Sequence, residues 1–216
     1  MNKWNVVIAD DHAIVREGLQ QKLENTNDFI VTASCNSADE LFEELEKGAK
    51  ADLAVLDLSM PGMDGFDAAG KLKKEYPGIR VIVLSMYLGE FAQIRALSRG
   101  ARAVLNKNIA TEKIVEALRE VAATGYCFRG GLSSNIAGVF SAEGSRAAIE
   151  NLSLKDEQIR FIRCSSTELT YKNFPGELKI KPTAVEPLRI LTWKKCGVHS
   201  RVALVQFAIK NGIVTV

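Results

Sequence analysis

Three aspartates, a serine and a lysine hold the most chemistry in this chain. Asp10 and Asp11 follow the apolar run WNVVIA, Asp57 lies near the end of LAVLDL, Ser85 closes RVIVLS, and Lys107 follows RAVLN. If these runs are parallel strands of one sheet, their carboxyl ends share a rim and the five side chains converge there. Converging carboxylates repel one another. A hard divalent cation such as Mg²⁺, which prefers oxygen ligands, water and phosphate, removes that repulsion. An acid cluster with an ammonium and a hydroxyl beside it is what a phosphoryl group landing on a carboxylate requires. Asp57 is the best nucleophile of the set because its own strand delivers it to the centre. Lys107 and Ser85 are placed to take the charge of the phosphoryl oxygens.

The elements that must position these groups follow from periodicity. Short β-branched runs predict strands over 4–9, 30–35, 53–58, 80–85 and 102–106, and amphipathic stretches predict helices near 13–25, 38–47, 66–75, 89–99 and 111–124. Strict alternation of strand and helix predicts a flavodoxin-like, doubly wound, five-stranded parallel sheet. Pro61, Gly62 and Gly65 supply a turn beside Asp57, and Asp64 with Gly65 can start the next helix. From Gly125 to Asn151 the composition shifts to Gly, Ser and Ala, as expected of a linker. SLKDEQIRFIRC then carries apolar residues at helical spacing, with Ser153 and Asp156 or Glu157 as capping groups at its start. Three more helical candidates follow without β alternation. The expected organisation is an α/β domain over 1–124, a linker over 125–151 and a small all-α, four-helix domain over 152–216.

Charge separates the two halves. Residues 151–216 hold 11 Lys+Arg against 5 Asp+Glu, leaving 17 against 21 for residues 1–150. A basic module attached to an acidic one suits a nucleic-acid binder under the control of something else. Cys35, Cys127, Cys164 and Cys196 form no CxxC pair and read as reduced, packed thiols. No apolar run approaches the roughly 20 residues that span a bilayer. Two carboxylates stand straight after the N-terminal apolar stretch, which no secretory signal tolerates. A cytoplasmic protein without a membrane partner is expected.

ADDH at 9–12, VLDLSMPGMDG at 55–65, VLS at 83–85 and the lysine of LNK at 105–107 together resemble the receiver domain of two-component response regulators. The resemblance covers residues 4–124. It implies phosphoryl transfer from a phosphohistidine on a partner sensor histidine kinase to Asp57. It also implies Mg²⁺ held by Asp11, Asp57 and the backbone carbonyl of Ser59, and by Asp10 largely through water. His12 accompanies the motif and reads as a loop imidazole with no catalytic role. One departure bears on signalling. Receivers often carry an aromatic residue three positions before the lysine and rotate it to report phosphorylation, whereas here that residue is Val104. Output would then rest on Ser85 and on the face formed by the 89–99 helix and the fifth strand.

Residues 169–213 resemble the four-helix helix-turn-helix of NarL/LuxR-type regulators, most clearly in KKCGVHSRVALVQFAIKNGI. This implies promoter DNA as a partner and a homodimer as the active form, since paired half-sites add affinity to one small interface. Two stretches depart from the family. The second helix reads Lys172-Asn173-Phe174-Pro175-Gly176 where the family has Lys-Glu-Ile-Ala, which predicts an interrupted scaffold helix. The third reads Ala184-Val185-Glu186-Pro187, placing an acid toward phosphates and a proline in the helix interior, at a cost of about 3 kcal/mol or more. Pro182 is acceptable at a first helical position. Pro187 predicts a helix that starts there, a turn or more shorter, or one kinked over 183–187. Lys194, Lys195 and Arg201 can still meet phosphates, with Arg189 a further candidate. The expected function is a phosphorylation-controlled transcription regulator. The alternative is a phosphorylation-dependent protein-interaction regulator whose helix-turn-helix no longer reads sequence. An aspartyl-phosphate phosphatase would need a cap or second nucleophile region that the chain lacks, so turnover of an outside substrate is not expected.

Overall fold

Strands apolar at nearly every position must be covered on both faces, and the runs over 53–57 and 80–85 are buried in that way, whereas the run over 29–35 is only partly buried. The structure, a computed structural model, describes residues 3–86, 89–127, 154–211 and 213–214. The strands are β1 (Trp4–Ala9), β2 (Phe29–Cys35), β3 (Leu53–Asp57), β4 (Arg80–Ser85) and β5 (Ala101–Asn106). All pair in parallel, in the order β2-β1-β3-β4-β5. The helices between them are α1 (Ala13–Glu24), α2 (Ala38–Glu46), α3 (Gly65–Glu75), α4 (Glu90–Ser98) and α5 (Thr111–Thr124). The helices cover both faces of the sheet. Leu41, Phe42, Phe66, Leu72 and Leu97 fill one side of the sheet, and Leu19, Leu23, Leu118 and Val121 fill the other. This is the doubly wound, flavodoxin-like architecture, with β3 at its centre. Gly125, at φ +89°, closes α5 in the left-handed conformation that glycine adopts without strain. Most of the expected linker, from residue 128 onward, lies outside the described residues.

The C-terminal part is all helical: α6 (Asp156–Ser165), α7 (Phe174–Leu178), α8 (Pro182–Cys196) and α9 (Arg201–Lys210). Phe161, Ile162, Phe174, Leu188, Leu204 and Ala208 form its separate core. Phe161 and Phe174 meet edge to face at 5.4 Å. The first of these helices opens at Asp156 after Lys155, whose amide donates to Gln158 Oε1 at 3.0 Å. Ser153, expected at this cap, lies outside the described residues. The scaffold helix is short and not interrupted: Pro175 and Gly176, expected to break it, lie inside its first turn, where a proline removes no intrahelical bond. It is five residues long and ends at Lys179, an exposed non-glycine residue in the left-handed region at φ +53°.

Pro187 requires a correction. The helix starts at Pro182 and not at Pro187, and runs through Pro187 to Cys196. The first four amides of any helix lack a partner, so Pro187, at the sixth position, removes only the bond to the Thr183 carbonyl. Both Thr183 and Pro187 are exposed, so water can satisfy that carbonyl. The buried residues Val185, Leu188, Thr192 and Cys196 lie along one face and hold the helix to the core. Pro187→Ala should restore the missing bond and raise unfolding stability by about 1–3 kcal/mol, read from urea denaturation of the full chain.

Candidate functional site: an acid pocket beneath the helical domain

Strand register assembles the pocket. Ala9 pairs with Leu56, so Asp10 and Asp57 emerge side by side, and Asp57 pairs with Leu84, one residue before Ser85. Ser85 pairs with Asn106, and the Lys107 amide returns to the Ser85 carbonyl at 3.0 Å. Asp10, Asp57 and Ser85 are each only 2% exposed. Lys107 Nζ lies 2.8 Å from Asp57 Oδ2 and 2.9 and 3.0 Å from the two oxygens of Asp10. The contact with Asp57 has the distance of an ion pair without the alignment of a hydrogen bond. Asp57 Oδ2 is thus a buried oxygen with no hydrogen-bond partner. Burial pushes the Asp57 carboxyl above the usual carboxylate range; the Lys107 ammonium pulls it back, and Asp10 adds to the rise. The Ser59 backbone also hydrogen-bonds this carboxylate.

The following turn is built to fit. A Cβ on Gly65 would come within 2.0 Å of the Asp57 carbonyl oxygen, so only glycine lets α3 begin this close to β3. Asp64 caps α3, accepting from the Asp67 amide at 2.8 Å. Asp10, Asp11, His12 and Asp57 each offer a ligand atom, all within 4.8 Å of one another. Carboxylate oxygens that converge in this way, one of them buried without a hydrogen bond, fit a divalent cation. Val104 is buried in β5, so the position three before Lys107 carries a small aliphatic side chain and no aromatic ring.

Sequence reasoning missed the roof. A cavity of about 760 Å³ is lined by Asp57, Lys107 and Met86 and equally by Arg163, Ile209, Ile213 and Val214 of the helical domain. Arg163 donates to Asp64 Oδ2, Arg99 pairs with Asp156, and Phe91 of α4 meets Phe207 of α9 edge-on at 5.1 Å. Arg95, almost fully buried, stacks on Phe66 at 3.9 Å and faces the same Asp64 oxygen at 3.7 Å. Burial lowers its pKa, partly opposed by Asp64. No local pattern announces pairs so far apart in the chain. The one sequence signal was Asp64 itself, read only as a helix starter.

The candidate DNA contacts divide. Arg189 is tied to Glu186 one turn back, with Nε at 2.8 Å from Oε2, and stacks on Trp193 at 4.3 Å. Arg201 turns inward, donating to the Ser165 carbonyl at 2.8 Å and to the Thr167 carbonyl. Lys194 is exposed and Lys195 half-buried at the end of α8.

An order of 2-1-3-4-5, a buried acid pair with a lysine at the strand ends, and an appended four-helix domain define a receiver-type signalling protein. The family profile for the response regulator receiver domain matches residues 6–119, more than half of the chain. The chain belongs to that family and is a two-component response regulator of the NarL/LuxR type. It is 24% identical to the response regulator UvrY of Escherichia coli (strain K12), over 97% of this chain and 95% of that protein. It is 29% identical to the transcriptional regulatory protein DegU of Brevibacillus brevis, over 91% of this chain and 73% of that one. Among solved structures, RcsB from Salmonella enterica serovar Typhimurium bound to promoter rprA superposes with a TM-score of 0.69 at 23% identity, covering 95% of this chain and 98% of that chain. The receiver domain of the putative response regulator NarL from Mycobacterium tuberculosis matches 57% of this chain and 99% of that one, at 31% identity and a TM-score of 0.54. No described helix is long and apolar enough to cross a membrane.

Proposed function

We propose that Asp57 accepts a phosphoryl group from a phosphohistidine of a sensor histidine kinase, and that the receiver over 1–124 thereby controls transcription through the helical domain over 152–216, in the cytoplasm. The observation that carries this reading is the buried Asp57 oxygen with Lys107 Nζ at 2.8 Å. The Asp57 carboxylate attacks phosphorus and the kinase histidine leaves. Lys107 neutralises charge on the transferred oxygens, and Ser85, one residue past the register partner of Asp57, offers a hydroxyl to the same group. Asp10, Asp11, Asp57 and the Ser59 carbonyl would hold Mg²⁺, which supplies neutralisation of the clustered negative charge. The product stays on the protein, so no outside substrate is turned over.

At the output end, Lys194 and Lys195 meet DNA phosphates, and a homodimer places two copies of α8 on paired half-sites. A second reading has its own support. Ile190, Leu191 and Val202 are 54%, 60% and 69% exposed, and Glu186 occupies Arg189. Exposed apolar side chains on α8 and at the start of α9, with Arg189 neutralised, suit protein docking better than base reading. Selection from random genomic fragments, with and without a small-molecule phosphodonor and Mg²⁺, separates the two. Enrichment of particular sequences that depends on Asp57 is the expected result. Sequence-blind binding that vanishes with modest salt, beside normal phosphorylation, assigns α8 to a protein partner.

A further inference from the structure

His12 differs in chemistry from every other donor in the acid pocket. It stands at the N-cap of α1 yet makes no capping bond with its side chain. Its Nδ1 instead lies 2.7 Å from Asp11 Oδ1, 3.3 Å from Asp10 Oδ1 and 3.8 Å from Asp57 Oδ2. Two atoms bound to one ion at about 2.1 Å are at most about 4.2 Å apart, and all three separations fall within that limit. The residue is anchored, since its amide donates to Asp10 Oδ1 at 2.9 Å and Arg16 donates to the Asp10 carbonyl at 2.6 Å. The buried Asp57 Oδ2, 3.8 Å from His12 Nδ1, is paired with Lys107 Nζ at 2.8 Å but accepts no aligned hydrogen bond, which leaves it a lone pair for a cation.

We propose that His12 Nδ1 completes a mixed nitrogen–oxygen site that takes a transition-metal ion, the borderline Co²⁺ or Zn²⁺ above all and the harder Mn²⁺ less strongly, in the pocket otherwise read as a Mg²⁺ site. The inference rests on the reading that this pocket holds a divalent cation. Mg²⁺ gains little from an imidazole, Mn²⁺ gains somewhat more, and the borderline Co²⁺ and Zn²⁺ gain most. Coordination needs the Nδ1 lone pair, so the imidazole proton moves to Nε2. The ring is 58% exposed, which lets water bond the relocated N–H. The pocket then discriminates between ions by one side chain, and a borderline ion held by His12 competes with Mg²⁺ for the same carboxylates.

The test loads the full chain with Mn²⁺ and reads directly bound nitrogen by pulsed electron paramagnetic resonance, alongside calorimetric titrations of Mg²⁺ and Co²⁺. The chain has only two histidines, so the exposed His199 is the internal control. Nitrogen coupling in the wild type, kept in His199→Ala and lost in both His12→Ala and His12→Gln, is expected. The Co²⁺-to-Mg²⁺ affinity ratio should fall about tenfold or more in the His12 variants. Mn²⁺ bound without nitrogen coupling, or coupling that survives His12→Ala, overturns the inference and leaves the cation reading standing. Failure of every ion to bind overturns both.

Discussion

Asp57→Asn is expected to reduce phosphoryl uptake from a small-molecule phosphodonor to background and, at the same time, to raise the melting midpoint of the unliganded chain. The first effect follows because an amide is no nucleophile and no second buried carboxylate sits at the end of the central strand. The second follows from the environment of the side chain. Burial and Asp10 outweigh Lys107, so the folded-state pKa of Asp57 lies above its ordinary value of 3.8. A carboxyl with a raised folded pKa binds its proton more tightly folded than unfolded. Its favourable contribution is therefore present below the unfolded value and is lost as pH rises through the folded one. Above the folded value the penalty of the buried charge is in place, and the neutral isostere escapes it. In a chain of this size each kcal/mol relieved moves the midpoint by about 2–4 °C. Thermal unfolding of both proteins in chelator at pH 7.5 and at pH 4 measures it, and the difference should narrow at the lower pH. A lower midpoint for Asp57→Asn at pH 7.5 would show that the Lys107 ion pair outweighs the burial.

Removing the contacts that seat the helical domain should speed phosphorylation. In Arg163→Ala combined with Phe91→Ala, a charge-assisted bond to Asp64 and an edge-to-face aromatic contact are lost together. The partly exposed ion pair contributes up to about 1 kcal/mol and the aromatic pair about 0.5–1.5 kcal/mol. Their sum of about 2 kcal/mol corresponds to a shift of roughly 30-fold in the docked-to-released ratio. Where the docked form shields Asp57, the initial rate rises by up to that factor, as phosphate-affinity electrophoresis of timed samples would show. An unchanged rate would mean that donors reach Asp57 beneath the docked domain. Asp64 is a poor choice for this test, because its loss would leave the buried guanidinium of Arg95 without its counter-charge.

The receiver was legible because its strands leave little choice. β-branched runs such as RVIVLS must be buried on both faces, and alternation with helices dictates a parallel sheet, which puts Asp10, Asp57, Ser85 and Lys107 on one rim. Element ends fell within about one residue of expectation for the same reason. Pro187 was misjudged because local rules count a missing amide, whereas the anchoring of Val185, Leu188, Thr192 and Cys196 is a tertiary effect that overrides it. Arg201 reads as a phosphate contact in any basic stretch. Only the fold reveals that its guanidinium closes the carbonyls of Ser165 and Thr167. The seating of α6 and α9 on the receiver joins residues 99 positions apart, as in Arg163 to Asp64, and no periodicity encodes such a pair.

The cavity shared by Asp57 and the end of the chain has a consequence for promoters. If phosphorylation favours the released helical domain by some factor, whatever holds that domain away from the receiver favours phosphorylation by the same factor, because coupling free energies are reciprocal. A DNA site that captures the released form is therefore an effector of the receiver. At equal kinase activity, phosphoryl occupancy would be higher on molecules at their operators than on those in free solution, and the spacing and strength of the sites would set part of the gain of the signalling circuit.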